Sequence, residues 1–422
     1  MLLLGPSLPP VPDKVQAERA VDFLNSLGAN SSISQRGEAL DQTIKCVRYL
    51  GLRWLRSGIE GNIPMADFLE LHTQTGVRFS WCPGSGGSDL PKLLETGRHL
   101  SKASALLAFE GPNEPNNWTI TYKGEKGGGQ LSWAPVANFQ RDMYAAVKSD
   151  PILKNTPVWG ISEDGAETDN VGLQFLETPN GSSYSDYANV HNYIYHPNSP
   201  NPEDNKTWNA ADPTQACRVD GLYGEYGVTW AHHYPGYSGS QLVNLPRVTT
   251  ETGTTIGGAI TEEMHGKNLL TMYLDQFKRG WSFTAVYLLR DRSDEAGNQQ
   301  FGFYKPDYTP RKAALYLHNL TTILADTGSL ISPGSLRYAI PSEPPTVHDL
   351  LLQRSDRSFA LVVWGERLSG TDKVTVNLGQ PVKRVQVFDP TAGTDAVETQ
   401  NGVPSVSLIL SDHPVVVTFG SR

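Results

Sequence analysis

Two glutamates in this sequence lie where a run of apolar residues gives way to residues that end regular structure. Glu114 lies in "AFEGPNEPNN", Ala108–Asn117, where a glycine and two prolines follow the apolar residues. Because glycine and proline interrupt strand pairing, we expect Asn113 and Glu114 to project at the end of a strand. Glu251 ends a β-branched run within "RVTTETGTT", and a glycine again follows two residues later. Both positions offer a carboxyl group at a strand end.

Two carboxyl groups that face each other can cleave a glycosidic bond. One donates a proton to the leaving oxygen, while the other attacks or supports the sugar carbon from the opposite face. In the retaining mechanism the two groups lie about 5–5.5 Å apart. Asn113 could hydrogen-bond the sugar 2-hydroxyl, an interaction that strengthens as the ring flattens towards the transition state. This chemistry requires a fold that brings the ends of two distant strands together.

The order of sequence patterns indicates such a fold. Short apolar runs recur, each followed by a polar loop and a stretch of helical periodicity, which is typical of repeated βα units. The predicted strands are Val21–Leu27, Leu52–Ser57, Val77–Cys82, Leu106–Glu110, Val158–Ser162, Ala188–Tyr193, Arg247–Glu251 and Phe283–Leu289. The predicted helices are Ser34–Leu50, Met65–Thr75, Leu90–Ser104, Trp133–Ser149, Asp169–Glu177, Glu262–Arg279 and Pro310–Asp326.

Eight strands alternating with helices predict an α/β protein with a (β/α)8 barrel, in which the site lies at the C-terminal ends of the strands. Glu114 then follows strand four and Glu251 ends strand seven, and these strands face each other across the barrel mouth. The long segment from His196 to Pro246 is expected to be an insertion that shapes the substrate site.

The pattern changes near Leu330 to runs with a period of two residues, separated by turn residues. The runs are "HDLLLQRSD", "SFALVVWGE", "KVTVNLG", "KRVQVFDP", "PSVSLIL" and "HPVVVTFG". Six short strands without helices predict a small antiparallel β-sandwich or sheet. We therefore divide the 422 residues into a barrel at 1–328 and a β-sandwich at 329–422.

Composition excludes several classes of function. Hydrophobic residues make up 38% and charged residues 19% of the chain, which is a globular balance. The net charge of −9 argues against a nucleic-acid partner, because nucleic-acid binders carry a basic surface. The three cysteines have neither the spacing of a metal site nor that of a disulfide framework. We expect no metal and no cofactor.

The N-terminal sequence "MLLLGPSLPPVPDK" contains only three consecutive leucines and no basic residues before them. It is therefore expected to be neither a signal peptide nor a membrane-spanning helix. Asn-x-Ser/Thr sequons at several positions, such as Asn30 and Asn319, are compatible with secretion. We expect a secreted or extracytoplasmic protein without membrane insertion.

Several of these positions match one pattern. The sequence resembles the clan of retaining (β/α)8 glycoside hydrolases that carry Asn-Glu-Pro after strand four and a glutamate at the end of strand seven. The resemblance implies that Glu114 is the acid/base and Glu251 the nucleophile. Arg56 in "LRWLRSG" matches an arginine near the nucleophile, and His191 and Tyr193 in "VHNYIY" match a His-x-Tyr pattern that orients it.

The resemblance spans about Val21 to Asp326 and is strongest to family 39-like enzymes, which include β-xylosidases and exopolysaccharide endoglycosidases. The stretch "FGFYKPDYTPRKAALYLHNL" is similar to the entry into the last helix of such enzymes. Two features differ from the pattern. Pro112 replaces the usual apolar or aromatic residue before the Asn, and "YLLRDRSDE" lacks the tryptophan that often ends strand eight.

Some candidates leave alternatives open. Glu110 could support the site or form an ordinary strand-end salt bridge. Arg56 could instead close an ion pair at the barrel bottom, and His191 could be a core histidine. Trp81 and Trp118 could stack on sugar rings, although most tryptophans in a barrel belong to the core. The segment from Arg290 to Gln300 is either a solvated loop or a set of ligands for sugar hydroxyls, with Arg290 as a candidate ligand.

Taken together, the patterns predict a retaining O-glycoside hydrolase with a carbohydrate substrate. One alternative is a carbohydrate-binding barrel that has lost turnover. Another is a lyase or isomerase with a glutamate base, but this would need a metal or a cation that stabilises an enolate.

Overall fold

The computed structural model describes residues 13–162, 184–194, 206–212, 246–295, 300–326, 328–329 and 332–419. These residues divide into two compact units. One contains the described residues between 25 and 318, and the other contains those before 25 and after 318. The predicted helix Asp169–Glu177 and most of the segment from His196 to Pro246 lie outside the described residues.

Eight parallel strands form the sheet of the larger unit, as the sequence predicted. They are β1 (Leu27–Asn30), β2 (Trp54–Gly58), β3 (Arg78–Cys82), β4 (Leu106–Glu110), β5 (Val158–Trp159), β6 (Ala188–His191), β7 (Arg247–Thr252) and β8 (Trp281–Val286). The hydrogen-bonded order runs from β6 through β7, β8 and β1 to β5. A parallel bridge between Trp159 and Tyr187 then joins β5 to the start of β6. The ring of strands is therefore nearly closed, as in a (β/α)8 barrel.

The first predicted strand was wrong in its position. Residues Ala20–Ser26 form helix α1, and the strand begins at Leu27. Ala20, Phe23 and Leu24 are its buried apolar residues, and their spacing of three and four residues is that of one helix face. In β1 the residue at position 28 must be glycine, because a Cβ atom there would lie 2.2 Å from the ring of Trp54.

The other helices of the described residues follow the predicted alternation, except the short helix Thr207–Ala210, which lies in the segment predicted to be an insertion. They are α2 (Leu40–Leu50), α3 (Met65–Thr75), α4 (Leu90–Lys102), α5 (Ala134–Ser149), α6 (Thr207–Ala210), α7 (Glu262–Lys278) and α8 (Lys312–Ile323). Sequence signals explain several ends: the side chains of Asp89 and Thr261 accept hydrogen bonds from the first turns of α4 and α7. Gly51 and Gly76 adopt left-handed conformations at the ends of α2 and α3. Among the described residues, no helix has the length and apolar character needed to span a membrane.

The interior of the barrel changes from apolar to polar towards the C-terminal ends of the strands. Trp54, Ala108 and Val248 belong to one buried apolar cluster. Two residues further along the same strands, on the same face, are Arg56, Glu110 and Thr250. The apolar cluster thus forms a floor on which the polar side chains rest.

The smaller unit is built around a six-stranded sheet. Its strands include β10 (Val347–Gln353), β11 (Phe359–Gly365), β12 (Asp372–Phe388), β13 (Ala396–Leu410) and β14 (Pro414–Phe419), which pair in antiparallel fashion. The predicted runs "KVTVNLG" and "KRVQVFDP" form one long strand, β12, with an irregularity between Asn377 and Val382. Valine and leucine side chains fill its core.

Two N-terminal segments pair with strands of this smaller unit. Glu18–Arg19 lies parallel to β10 and is the sixth strand of the sheet. Lys14–Gln16 pairs with the short strand β9, Ser335–Arg337. This differs from the division at 328/329, which assigned all earlier residues to the barrel. The segments are too short to show a strand pattern of their own.

We expect Trp54→Ala to lower the free energy of unfolding by about 3–5 kcal/mol, the usual cost of removing a large core aromatic side chain. The indole is 1% exposed, packs edge-on against Trp159 and Phe283, and donates from Nε1 to Ser26 O at 3.0 Å. Chemical denaturation measures the effect. The matched control is Trp118→Ala, which removes an indole that is 51% exposed and should change stability by less than about 0.5 kcal/mol. A similar loss of unfolding free energy in both variants would contradict a central role of Trp54 in the apolar cluster.

Candidate active site

The guanidinium group of Arg56 occupies the centre of the site. Its Nε donates to both carboxylate oxygens of Glu110, at 3.0 and 2.9 Å, and its Nη2 donates to Glu110 Oε1 at 2.6 Å. Nη2 also donates to Asn113 Oδ1, and Nη1 donates to Glu251 Oε1. Burial would lower the pKa of Arg56, but Glu110 and Glu251 outweigh burial and raise its pKa well above the usual range. One fixed positive charge therefore positions residues that end or follow two strands, β4 and β7.

Glu110 holds Arg56 in place and does not line the cleft. Its side chain is fully buried, and besides Arg56 it accepts a hydrogen bond from Thr250 Oγ1 at 2.9 Å. The position at the mouth end of β4 accords with the supporting role rather than with an exposed strand-end salt bridge. A buried carboxylate of this kind is stabilised only because a positive charge and further donors surround it.

Glu114 lies in the loop after β4 with an unusual backbone conformation. Its φ is 39°, in the left-handed region that side chains other than glycine rarely adopt. Its carbonyl oxygen accepts hydrogen bonds from the backbone N–H groups of Asn117 and Trp118 at 2.8 and 2.7 Å, so a tight turn holds this conformation. Strained residues cluster at functional sites, where the surrounding structure maintains them.

Glu114 is 8% exposed, and the side-chain partners of its carboxyl group include His191 and Asn117. His191 Nδ1 lies 2.6 Å from Oε1, and Asn117 Nδ2 donates to Oε2 at 3.2 Å. Burial raises the pKa of Glu114, and hydrogen bonding from Asn117 offsets this only in part. The group is therefore suited to carry a proton at a pH where an exposed glutamate is ionised.

Glu251 at the end of β7 accepts hydrogen bonds from two groups. Tyr193 donates its hydroxyl proton to Oε2 at 2.7 Å, and Arg56 donates to Oε1. Burial raises the pKa of Glu251, whereas the positive charge of Arg56 and the hydrogen bond from Tyr193 oppose that effect. All these partners stabilise the ionised carboxylate, which is the form a nucleophile requires.

Glu114, His191 and Glu251 converge on one point. A carboxylate oxygen of each glutamate and a ring nitrogen of His191 all lie within 4.8 Å of one another. His191 is fully buried, and burial lowers the pKa of its imidazole to about 4. The imidazole is therefore neutral at neutral pH and lies between the two carboxyl groups, with Nδ1 at 3.6 Å from Glu251 Oε2.

Glu114 and Glu251 line a cleft of about 730 Å³, whereas the buried His191 does not. Of the residues that the sequence singled out, the cleft brings together Arg56, Asn113, Glu114, Trp118, Tyr193 and Glu251. Trp118, which follows the Glu114 turn, presents an exposed indole to the cleft. Such a ring could stack on a sugar near Glu114.

Trp81 does not belong to the cleft, contrary to its choice as a candidate sugar platform. Its indole is buried, packs edge-on against Phe68 in α3 and donates from Nε1 to Thr96 in α4 at 2.9 Å. The neighbouring Ser80 is the residue that pairs with Arg56 in register. Successive side chains of a strand point to opposite faces, so Trp81 points towards the helices.

Arg290 also lies outside the cleft, contrary to the prediction that it binds substrate. Its guanidinium donates to the carbonyl oxygens of Pro306 and Arg36, and it stacks on the ring of Tyr308. These backbone contacts occupy its donors, so Arg290 holds loops together rather than binding sugar hydroxyls. In the segment Arg290–Gln300, residues 296–299 lie outside the described part.

Tyr287 is a cleft residue that the sequence analysis missed. It follows β8, where the tryptophan of the related pattern is absent, and its ring packs edge-on against Phe301 and Tyr193. Its hydroxyl donates to Glu295 Oε2 at 2.5 Å and accepts from Arg292 Nη1 at 3.1 Å. Its position directly after strand eight was the sequence feature that could have identified Tyr287 as a site residue.

A group of charged side chains also lines the cleft. Its members are Arg36, Glu60, Arg292, Asp294 and Glu295. Arg36 pairs with Glu60 at 3.0 Å and Arg292 pairs with Asp294 at 3.0 Å. The last three lie in the segment for which both a solvated loop and a ligand role were considered. Because the charges pair with one another, the group exerts no strong field of one sign.

The three converging side chains could in principle ligate a metal ion, since two carboxylates and an imidazole suit a divalent transition metal. Two contacts oppose this use. Arg56 already donates to Glu251, and its positive charge would repel a cation. His191 Nδ1 and Glu114 Oε1 are 2.6 Å apart, which is a hydrogen-bond distance. The arrangement is better suited to proton transfer.

Comparison with known proteins finds similarity in the fold alone. The sequence matches no protein-family model and no curated protein. Among solved structures, similar ones include a family 39 glycoside hydrolase from the gut symbiont Bacteroides cellulosilyticus WH2, with a TM-score of 0.58 and 13% identity, covering 96% of this chain and 83% of that one.

Two further structures cover 97% of this chain. CelM2, a bifunctional glucanase-xylanase from a metagenome library, has a TM-score of 0.60 at 12% identity over 97% of its own length. The GH51 arabinofuranosidase from Xanthomonas axonopodis pv. citri has a TM-score of 0.56 at 12% identity over 98% of its length. The predicted resemblance to (β/α)8 glycoside hydrolases is thus confirmed for the fold.

We expect Glu114→Gln to be more stable than the parent at neutral pH, by a margin that shrinks as the pH falls. Burial raises the pKa of Glu114 in the folded protein. Its contribution to stability is therefore complete below the pKa of the unfolded chain and is lost as the pH rises towards the folded pKa. Urea unfolding between pH 4 and pH 8 measures the difference. Glu125→Gln, which changes an exposed glutamate, is the control. A margin independent of pH would contradict the prediction.

Proposed function

We propose that this protein is a retaining O-glycoside hydrolase that acts by double displacement. The observation that supports this most is the pair of buried carboxyl groups at the ends of β4 and β7, with an oxygen of each within 4.8 Å across an open cleft. The spacing accords with the roughly 5–5.5 Å of retaining enzymes and leaves no room for the extra water of an inverting site.

In the first step, Glu114 gives its proton to the leaving oxygen while Glu251 attacks the anomeric carbon. Burial raises the pKa of Glu114 and so favours its protonated form, and transfer of this proton lets the leaving group depart as a neutral alcohol. Glu251 becomes an ester in a covalent glycosyl-enzyme. Tyr193 and Arg56, which both donate to Glu251, keep its oxygens aimed at one point before attack.

In the second step, Glu114 removes a proton from water, and the water oxygen attacks the anomeric carbon and displaces Glu251. Esterification removes the negative charge of Glu251, and the loss of a neighbouring negative charge lowers the pKa of a carboxyl group. The proton therefore leaves Glu114 more readily in the intermediate than in the free enzyme. Asn113, held by Arg56 and donating to Ser85 Oγ, lines the cleft where the 2-hydroxyl of a sugar would lie.

A neutral carbohydrate suits the cleft best. Three arginines and five acidic residues line it, so an anionic sugar would find no excess of positive charge. The solved structures named above include a glucanase-xylanase and an arabinofuranosidase, and they suggest β-linked glucose, xylose and arabinose polymers as the first substrates to test.

A binding protein that has lost turnover is the alternative of a different class. It would not need a strained glutamate hydrogen-bonded to a neutral histidine, nor a second carboxylate held by an arginine and a tyrosine. Those features cost stability and make sense where charge develops during a reaction.

The decisive experiment measures products released from β-linked xylo-, gluco-, galacto- and arabino-configured oligosaccharides by the parent and by Glu251→Gln. We expect the variant to lose at least roughly 10³-fold in kcat, because the amide cannot attack. Proton NMR of the first product should show the anomeric configuration of the substrate. Unchanged thermal stability of the variant is the control for folding.

Inversion of configuration would contradict the double displacement, and turnover by Glu251→Gln would exclude Glu251 as the nucleophile. Binding of oligosaccharides by both proteins without release of product would favour the alternative of a binding protein.

We further expect Trp118 to bind the leaving-group side of the substrate, because it directly follows the Glu114 turn. Trp118→Ala should lower kcat/KM on oligosaccharides by about tenfold, which corresponds to about 1.4 kcal/mol. Trp118→Phe keeps an aromatic face and should retain most of the activity. Steady-state kinetics on one oligosaccharide measures both variants. Equal losses in both would show that ring stacking is not what Trp118 provides.

A further inference from the structure

His191 is fully buried between Thr250 and Glu114, and its hydrogen bonds depend on which ring nitrogen carries the proton. Nδ1 lies 2.6 Å from Glu114 Oε1, and Nε2 lies 3.0 Å from Thr250 Oγ1. A neutral imidazole has one N–H group and one acceptor nitrogen. The tautomer therefore decides whether His191 donates a hydrogen bond to Glu114 or accepts one from it.

The partners of Thr250 decide the tautomer. Its Oγ1 lies 2.9 Å from Glu110 Oε1 and 3.0 Å from Asn189 Nδ2. Glu110 is ion-paired with Arg56 at 2.6 Å and can only accept. The amide of Asn189 is oriented by its Oδ1, which accepts from the backbone N–H of Thr250 at 3.3 Å, so Nδ2 donates. Asn189 Oδ1, at 3.1 Å, is a second possible acceptor for the hydroxyl of Thr250, but the carboxylate of Glu110 is nearer, at 2.9 Å, and is charged, so the single hydroxyl proton goes to Glu110.

With its proton given to Glu110, Thr250 can only accept from His191. The opposite assignment would leave two oxygen lone pairs facing each other at 2.9 Å between Thr250 and Glu110, inside a fully buried site. Nε2 of His191 consequently carries the imidazole proton. Nδ1 is then an acceptor, and the atom at 2.6 Å from it, Glu114 Oε1, must supply the proton.

We propose that Thr250 is a positioning residue that fixes His191 as the Nε2–H tautomer. Nδ1 then accepts a hydrogen bond from the protonated carboxyl group of Glu114. The chain of donors runs from Glu114 through His191 and Thr250 to the carboxylate of Glu110, which Arg56 holds. The tautomer follows from geometry alone, whereas its catalytic meaning rests on the proposed function.

The consequence for catalysis differs between the two steps. Before the first step, the Nδ1 acceptor keeps Glu114 protonated and ready to act as an acid. Once the proton has moved to the leaving oxygen, the Glu114 carboxylate faces the Nδ1 lone pair, and this repulsion favours uptake of a new proton. Water supplies it: an O–H bond breaks, the oxygen bonds to the anomeric carbon, and the ester bond to Glu251 breaks.

The charged groups around His191 are consistent with a neutral imidazole. Burial lowers its pKa to about 4, Glu251 and Glu110 act to raise the pKa, and Arg56 acts to lower it. Within the described part of the chain, the charged or titratable groups that face Glu114 include Arg56, Glu110, His191, Tyr193, Glu251 and Tyr287. Burial has the largest effect on Glu114 and favours its protonated form.

Nitrogen-15 NMR of the protein labelled at its ten histidines tests the tautomer directly. We expect the His191 signals at neutral pH to show a protonated Nε2 and an unprotonated Nδ1. The signals are assigned as those that disappear in His191→Gln. A protonated Nδ1 would overturn the proposal. Because the measurement requires no turnover, it stands even if the protein is not a glycoside hydrolase.

The pH dependence of kcat/KM in two variants of Thr250 tests the consequence. In Thr250→Val nothing accepts from Nε2, so His191 can adopt the Nδ1–H tautomer and donate to ionised Glu114. Such a bond lowers the pKa of Glu114, and the basic limb of the profile should move to lower pH. Thr250→Ser keeps the hydroxyl group and should keep the limb of the parent.

A purely structural role of Thr250 would lower stability or raise KM without moving the limb, and that result would overturn the proposal. A limb that moves equally in Thr250→Ser would also overturn it. Thermal unfolding of each variant checks its fold. Should Thr250→Val not fold, the imidazole spectrum of the parent decides the tautomer by itself.

Discussion

The ion pair between Arg56 and Glu110 is the interaction on which the site depends. Both side chains are buried, and removing such charges from water costs several kcal/mol each unless good geometry and further hydrogen bonds compensate. Here the guanidinium reaches Glu110, Asn113 and Glu251 at once. A charge that would otherwise be a liability thereby fixes the distance between the residues that follow β4 and the end of β7. Fixing Asn113 also fixes the position of Glu114, because the two are adjacent in one constrained turn.

The apolar cluster beneath the site supports this group of polar side chains. Trp54, Trp159 and Phe283 pack edge-on or tilted below it, so the charged side chains rest on a rigid, dry surface. In such surroundings hydrogen bonds and ion pairs are stronger than in water, and an unpaired group is correspondingly costly. Each strand needs only a two-residue step, as from Trp54 to Arg56, to pass from floor to site.

How much of this the sequence could predict depends on the kind of signal. The alternation of strand and helix patterns was sufficient to predict the barrel. The turn residues around Glu114 and Glu251 were sufficient to predict that two carboxyl groups lie at strand ends. Trp81 was misjudged because a strand end does not reveal which face a side chain occupies; that requires the register with Arg56. Tyr287 and Arg290 are three residues apart in the sequence. Only the contacts in the folded protein show that Tyr287 lines the cleft and that Arg290 binds backbone carbonyl groups of loops. The strands at Lys14–Gln16 and Glu18–Arg19 were missed because two or three residues carry no periodicity.

Thr250 illustrates what only side-chain geometry can provide. In the sequence it is one of several threonines in a β-branched strand, and its natural interpretation is strand propensity. In the folded protein its hydroxyl accepts from Asn189 and His191 and donates to Glu110, which uses all of its hydrogen-bonding capacity. A serine could make the same bonds, but threonine loses less rotamer freedom because its β-branched side chain is already restricted. The residue that suits the strand thus also suits the hydrogen-bond chain, and the orientation of the proton on Glu114 follows from a position that looks purely structural.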